Sequence, residues 1–91
     1  MVITKQIHAA CIAIDGEGVL LRGPSGSGKS DLALRLINGG GILVADDRVD
    51  LMARSNTVLA SAPESLFGSL EVRGLGILPF PAIKAVRLAL V

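Results

Sequence analysis

Apolar stretches separated by turn residues predict a series of short β-strands along the chain. A run of β-branched and small residues over 7–14 is typical of a strand, and a second apolar stretch follows at 19–22. The Asp-Gly step between them indicates that these two strands pair as a hairpin. Further strands are predicted, in chain order, at 42–45, 48–54, 58–60 and 85–91.

The longest helical periodicity begins at Lys29 and ends at Asn38. Apolar residues recur there at intervals of four and are expected on one buried face, at Leu32, Ala33, Leu36 and Ile37. Glycines at 39–41 favour the end of this helix, because glycine adopts the left-handed conformation that closes many helices. Residues 63–67 favour one further helical turn, and glycines punctuate residues 70–77.

Composition allows a packed core but restricts what can fill it. Of the 91 residues, 51% are hydrophobic and only 2% are aromatic, so the core must consist mainly of alanine, valine, isoleucine and leucine. This composition excludes an intrinsically disordered chain. The net charge is +1 and the basic residues are scattered along the sequence, so there is no basic patch of the kind that binds nucleic acid. No uncharged apolar stretch reaches the roughly 18 residues that a membrane-spanning helix needs.

The single cysteine, Cys11, indicates the compartment. One cysteine cannot form an internal disulfide, which favours a reducing environment, so we expect a cytoplasmic protein. Because Cys11 stands among apolar neighbours, it is predicted to be a small core residue.

Residues 23–30 carry the strongest chemical signal. They satisfy the pattern G-x-x-x-x-G-K-[ST] of a phosphate-binding loop, between a predicted strand and the predicted helix. Such a loop wraps a phosphate with its backbone N–H groups, and the helix start also favours an anion. We predict that Lys29 contacts the β- and γ-phosphates and that the Ser30 hydroxyl reaches Mg²⁺. The predicted phosphate-binding residues are Gly23, Pro24, Ser25, Gly26, Ser27, Gly28, Lys29 and Ser30.

Two adjacent acids, Asp46 and Asp47, end the predicted strand at 42–45. A phosphate-binding-loop protein holds the carboxylate of its Mg²⁺ site at such a strand end. If the two side chains diverge, one acid can reach the metal while the other reaches an attacking hydroxyl. From the residues alone, the single histidine, His8, is more often structural than catalytic, and the simplest interpretation of Glu71 and Arg73 is a surface ion pair.

Four stretches together resemble one family, the catalytic domain of HPr serine kinase/phosphorylase. Members of this family act on a small phosphocarrier protein of the bacterial sugar phosphotransferase system. The stretches are the strand containing His8, the loop at 23–30 with residues 31–34, the segment LVADDRV at 43–49 and the segment LEVRGLGI at 70–77. The last two segments in this order are much more specific than the loop. The resemblance covers nearly the whole chain.

The resemblance implies an α/β fold, with a P-loop kinase core related to phosphoenolpyruvate carboxykinase and a mixed sheet beside the P-loop helix. It implies ATP and Mg²⁺ as cofactors, an HPr-like phosphocarrier protein as partner, and assembly as a homo-oligomer, a hexamer in the family. Asp46 matches the aspartate proposed as general base in phosphorylation and as general acid in the reverse step. His8 matches the histidine near that aspartate, which implies a catalytic role in which it helps set the protonation of Asp46, and Arg73 matches the signature arginine. The implied Mg²⁺ ligands are Ser30, Asp47 and Glu71.

The sequence departs from the family's pattern in three places. It begins at Met1, close to the first motif, and so resembles the short single-domain form found in alphaproteobacteria. Residues 78–81 are Leu-Pro-Phe-Pro where the family has acidic or polar residues, and the chain ends at Val91, before the family's catalytic-loop arginine and C-terminal helices. We therefore expect one P-loop kinase domain over residues 1–91 that lacks the family's C-terminal part.

Two alternatives remain open at this point. The protein could be another small P-loop kinase or NTPase, or an ATP-binding module with no or partial catalytic activity.

Overall fold

The computed structural model describes residues 2–23, 28–72 and 74–89, which form a curled sheet, one α-helix and a small hairpin. The predictions made for Pro24 to Ser27, for Arg73 and for residues 90–91 lie outside the described residues. In chain order the elements are β1 (Val2–Ile14), β2 (Glu17–Arg22), α1 (Lys29–Asn38), β3 (Ile42–Ala45), β4 (Arg48–Arg54), β5 (Thr57–Ser61), a 3₁₀ turn (Glu64–Leu66), β6 (Ser69–Val72), β7 (Gly76–Pro79) and β8 (Ala85–Arg87).

The larger sheet has six strands in the order β2-β1-β4-β5-β8, with β3 also paired to β1. Its curl brings Gly18 of β2 against Leu88, where a parallel bridge forms and the N–H of Ala89 donates to the Gly18 carbonyl at 3.0 Å. The expected mixed sheet differs from what is found, because every described strand pair is antiparallel and parallel contacts occur only at two isolated bridges. Short turns join several neighbouring strands, and a parallel pair would require a long crossover.

Strand β1 organises this sheet. Its residues 9–14 pair with β2 along one edge, and along the other edge residues 2–8 pair with β4 while residues 11–13 pair with β3. Strands β3 and β4 therefore lie end to end beside the same strand. The two acidic residues 46–47 separate β3 from β4, and the β1–β3 pairing itself shifts register between Cys11 and Ile12.

Two apolar clusters lie on opposite faces of β1. One fills the curl of the sheet and contains Ala9, Cys11, Ala13, Val44, Ala45, Val49, Ala60 and Val86. The other lies between the sheet and α1 and contains Ile12, Ala33, Leu43 and Leu70. Because successive strand residues point to opposite faces, residues 9–13 are buried on both sides. This double burial explains why they are continuously small or apolar instead of alternating with polar residues.

Helix α1 and strands β3 and β4 have the predicted bounds. On α1 the predicted buried face is confirmed for Ala33, Leu36 and Ile37, whereas Leu32 is 46% exposed. Leu32 lies with Leu20 and Leu21 along a shallow groove beside the first turn of α1. The ten residues of α1, the one α-helix within the described part of the chain, are too few to cross a bilayer.

Gly41 is packed tightly against both α1 and β1. A Cβ atom at this position would stand 2.8 Å from the Ile12 side chain and 2.9 Å from the Leu36 carbonyl oxygen. The N–H of Gly41 donates to that carbonyl at 2.9 Å, which ends the helix. The glycines after α1 thus end the helix, as predicted, and Gly41 also lets the chain enter β3 against β1.

The burial of Cys11 leads to a prediction about its reactivity. Its side chain is fully buried in the sheet cluster, and this burial raises the pKa of the thiol to about 11. Because the thiolate is the nucleophile, we expect the folded protein to resist iodoacetamide at pH 8 and to react fully in guanidinium chloride, as measured by mass spectrometry. Alkylation of the folded protein at the rate of the denatured one would contradict this placement.

Candidate functional site

One cavity of about 700 Å³ lies where three parts of the fold meet. These parts are the start of α1, the junction between β3 and β4, and the β6–β7 hairpin. Six of the predicted site residues line it: Gly28, Lys29, Ser30, Asp46, Asp47 and Glu71. The cavity therefore brings together side chains that are more than forty positions apart in the sequence.

The start of α1 contributes backbone N–H groups and a cation. Gly28 precedes the helix in the left-handed conformation, with φ of 91°, which a residue with a Cβ adopts only at a cost. Gly28 has no side chain to cap the helix, so the first N–H groups of α1 gain no bond from its cap position. Together with the dipole of α1 and the ammonium of Lys29, these groups favour an anion in the cavity.

The β3–β4 junction turns sharply at Asp47. The N–H of Arg48 donates to the Asp46 carbonyl at 2.8 Å, and Asp47 between them has φ of 71°. This is a γ-turn of the rare, strained kind in which the central residue has positive φ. Such strain is tolerated where surrounding contacts hold it, and here the Asp47 carbonyl accepts the N–H of Ala9 at 3.1 Å, which continues the β1 ladder through the turn.

The turn sends the two carboxylates to different partners. Oδ2 of Asp46 accepts the backbone N–H of Glu71 at 3.1 Å, while Oδ1 of Asp47 lies 2.6 Å from Nε2 of His8. The family resemblance implies that His8 lies near Asp46. In the structure the side chain that His8 contacts is that of Asp47. The reason is register: His8 faces Arg48 across the sheet, so its side chain lies next to the preceding turn residue.

The carboxyl group of Asp46 has a raised pKa. Its burial raises the pKa of the carboxyl above the usual range, and the neighbouring charge of Asp47 acts in the same direction. The Glu71 N–H and the charge of Lys29 oppose the increase, because both favour the ionised form. A carboxyl with a raised pKa exchanges protons closer to neutral pH, which suits acid–base chemistry.

Sequence reasoning missed part of the cavity wall. Ser65, Ser69 and Ile77 also line the cavity, and they lie on the 3₁₀ turn and the β6–β7 hairpin. The glycines at 74 and 76 signalled irregular backbone, but nothing in the pattern indicated a hairpin folding over the start of α1. Gly23 is described directly after β2, and the rest of the predicted loop up to Ser27 is outside the described residues.

The oxygen atoms in the cavity fit the ligand preference of Mg²⁺. Ser30, Asp47 and Glu71 all line it. Within the described ranges no group of three or more His, Cys, Asp and Glu side chains is close enough to hold a metal alone. Mg²⁺ needs fewer protein ligands than this, because it is usually held by one or two carboxylates together with water and substrate phosphates.

Comparisons with known proteins agree on one family. A family model described as the HPr serine kinase C-terminal domain matches residues 1–86. The HPr kinase/phosphorylase of Lactobacillus acidophilus is 49% identical over 75 residues, covering 81% of this chain and 23% of that protein. The HPr kinase/phosphorylase of Clostridium acetobutylicum is 45% identical over 78 residues, covering 86% of this chain and 26% of that protein.

A solved structure gives the same result. The HPr(Ser) kinase/phosphatase from Coxiella burnetii superposes with a TM-score of 0.87 at 32% sequence identity, covering 94% of this chain and 62% of that one. The fold is therefore that of a family of protein kinases whose members are named kinase/phosphorylase or kinase/phosphatase. The chain belongs to the HPr serine kinase C-terminal domain family. It spans 23 to 26% of the length of the curated relatives it matches.

The raised pKa of Asp46 predicts a stability effect with a defined pH dependence. Because the fold favours the protonated acid, ionised Asp46 costs stability at neutral pH, and Asp46→Asn should increase the free energy of unfolding at pH 7 in the presence of EDTA. The gain should shrink as the pH falls through the raised pKa and disappear below the unfolded value of about 3.9. Urea unfolding at several pH values measures this change.

Glu17→Gln, at an exposed position that begins β2, is the control for the loss of one negative charge. An Asp46→Asn variant less stable than the wild type at pH 7 would contradict the placement of this carboxyl.

The γ-turn predicts an unusual order of substitutions at Asp47. Asp47→Gly and Asp47→Asn should be more stable than Asp47→Ala by about 1 kcal/mol, because alanine is strained at positive φ. The glycine and alanine variants both lack any side-chain partner for His8, so thermal unfolding of this pair compares the backbone effect most directly. At Asp50, inside β4, the order should reverse, with Asp50→Ala more stable than Asp50→Gly. The same order at both positions would argue against the turn.

Proposed function

We propose that this protein is an ATP-dependent protein serine kinase/phosphorylase acting on an HPr-like phosphocarrier protein, and that it regulates carbohydrate metabolism through the phosphotransferase system. The observation that carries the proposal is the shared cavity, in which the half-buried carboxyl of Asp46 stands with Lys29 and Ser30 at the start of α1. The names of the relatives support the class of reaction and of partner.

In this proposal the start of α1 binds the phosphates. The predicted loop at 23–30 wraps them, and Lys29 places its charge against the β- and γ-phosphates. The N–H groups of the first helical turn and the dipole of α1 stabilise the same negative charge. Most of the rate enhancement then comes from positioning and charge stabilisation, as in other phosphoryl transfers.

Asp46 is proposed as the proton acceptor. As the serine oxygen of the partner forms its bond to the γ-phosphorus and the bond to ADP breaks, the hydroxyl proton passes to the Asp46 carboxylate. In the reverse reaction the protonated carboxyl returns it. The raised pKa of Asp46 supports this role, because a base that must also act as an acid needs a pKa nearer the working pH.

His8 is proposed to act through Asp47. Its Nε2 lies against Oδ1 of Asp47 and fixes that carboxylate, while Oδ2 of Asp46 accepts the Glu71 N–H. The two acids thereby keep separate tasks.

Ser30, Asp47 and Glu71 are proposed to hold Mg²⁺ with the nucleotide phosphates. When bound, the ion neutralises part of the phosphate charge. The oxygen donors on this cavity wall support that ligand set.

Several wider properties belong to the same proposal and rest on the family resemblance. They are a single P-loop kinase domain over residues 1–91, a core related to phosphoenolpyruvate carboxykinase, the short alphaproteobacterial type, assembly as a homo-oligomer, and a cytoplasmic location.

Two variants test the proposal by separating binding from transfer. Asp46→Asn should reduce transfer from radiolabelled ATP to the phosphocarrier by about 10²- to 10⁴-fold, with ATP affinity by calorimetry unchanged. Lys29→Ala should instead weaken ATP binding, because it removes the phosphate-facing cation. Lys84→Ala removes an equally positive but exposed side chain outside the cavity, and it should change neither quantity.

Each contrary outcome points to a different reading. Wild-type transfer by Asp46→Asn would overturn the role of that residue. Binding of ATP without transfer by the wild type would favour a nucleotide-binding module, and release of free phosphate without acceptor labelling would favour a simple NTPase. If Lys29→Ala leaves the ATP affinity unchanged, the proposal that the loop at 23–30 binds the phosphates is wrong.

A further inference from the structure

We infer that Glu71 positions the Asp46 carboxylate through its main-chain N–H, so that strand β6 is the positioning element of the proposed catalytic acid. The assignment of Asp46 as the acid rests on the proposed function. The positioning itself rests on contacts in the fold. Glu71 thereby has a role independent of its side chain, which the sequence suggested only as a metal ligand.

The first step of the argument is the hydrogen-bond pattern of the β6–β7 hairpin. The N–H of Phe80 donates to the Gly68 carbonyl at 2.8 Å, and the register pairs Leu70 with Leu78 and Glu71 with Ile77. Antiparallel strands alternate between hydrogen-bonded and non-hydrogen-bonded pairs. Counting from Gly68, residue 70 is bonded across the hairpin and residue 71 is not. The N–H of Glu71 therefore points out of the hairpin, where Asp46 accepts it at 3.1 Å.

The second step is the anchoring of β6. Leu70 is fully buried and belongs to the cluster that contains Ala33 of α1 and Leu43 of β3. Ala33 lies one helical turn after Lys29, and Leu43 lies on the strand that ends before Asp46. Leu70 thus packs β6 into the cluster to which both segments contribute, and this packing fixes the position of the neighbouring Glu71 N–H.

The third step concerns the freedom of the carboxylate. Asp46 lies just after the last residue of β3 and just before the strained residue Asp47. It therefore belongs to no strand that would hold its side chain in one orientation. The bond from the Glu71 N–H restricts its rotation. Because a misplacement of about 1 Å can cost about 10²-fold in rate, such a restraint has a measurable consequence.

A proline at position 71 removes the N–H while leaving the hairpin ladder intact. Proline is tolerated in strands where the N–H makes no ladder bond, and the preceding residue, Leu70, is already extended. Glu71→Ala is the matched control, since it lacks the same carboxylate but keeps the N–H. Any difference between the two variants therefore reports the main-chain group and not the metal-ligand role of the side chain.

The experiment has a spectroscopic and a kinetic readout. In ¹³C,¹⁵N-labelled protein, a scalar coupling across the hydrogen bond should join the Glu71 nitrogen to the Asp46 carboxyl carbon in the wild type and in Glu71→Ala. Three-bond couplings should give a single Asp46 rotamer in both and an averaged one in Glu71→Pro. In phosphotransfer, Glu71→Pro should have a kcat about 10²-fold below that of Glu71→Ala, with the same KM for ATP.

The outcomes separate this inference from the proposed function. An absent coupling in the wild type, or equal Asp46 rotamers and equal kcat in folded Glu71→Pro and Glu71→Ala, overturns the inference. If Glu71→Pro does not fold, the couplings in the wild type and Glu71→Ala decide alone. A wild type without phosphotransfer contradicts the proposed function, whereas its couplings still confirm or overturn the positioning.

Discussion

The pairing of β3 and β4 with the same edge of β1 is the constraint on which the site depends. Cys11 faces Ala45 and His8 faces Arg48, so the end of β3 and the start of β4 lie in the same register on β1, whereas the pairing shifts between Cys11 and Ile12. The residues between them must stay beside β1 while the ladder is interrupted, and the chain does this with a strained γ-turn at Asp47. The divergence of the two carboxylates follows directly from this geometry.

The second half of the site depends on a different kind of contact. Apolar packing of Leu70 beneath α1 brings the β6–β7 hairpin over the helix start, and one main-chain N–H from that hairpin reaches Asp46. The fold thus places an acid in a half-buried cavity where its ionisation is disfavoured, as its raised pKa indicates. Positive φ at Asp47 and the burial of Asp46 both cost stability, which is the usual pattern where a fold serves chemistry.

The sequence was most informative where local patterns determine structure. The bounds of α1 follow from its period and from the glycines after it, and the motif residues Lys29, Asp46 and Glu71 do line one cavity. It was least informative where distant segments meet. The partner of His8 depends on the register across β1, and the hairpin at 69–79 depends on where Leu70 is buried. Neither leaves a periodic signal in one sequence.

Mapping nucleotide binding by NMR tests the central claim most directly, because it asks whether one ligand touches all three parts of the cavity. Amide shifts would be recorded while a non-hydrolysable ATP analogue is added with Mg²⁺. The account predicts concerted changes at Gly28 before α1, at Lys29 and Ser30 in its first turn, at Asp46 and Asp47, and at Glu71 on β6. Shifts confined to one of these segments, or centred elsewhere on the sheet, would contradict it.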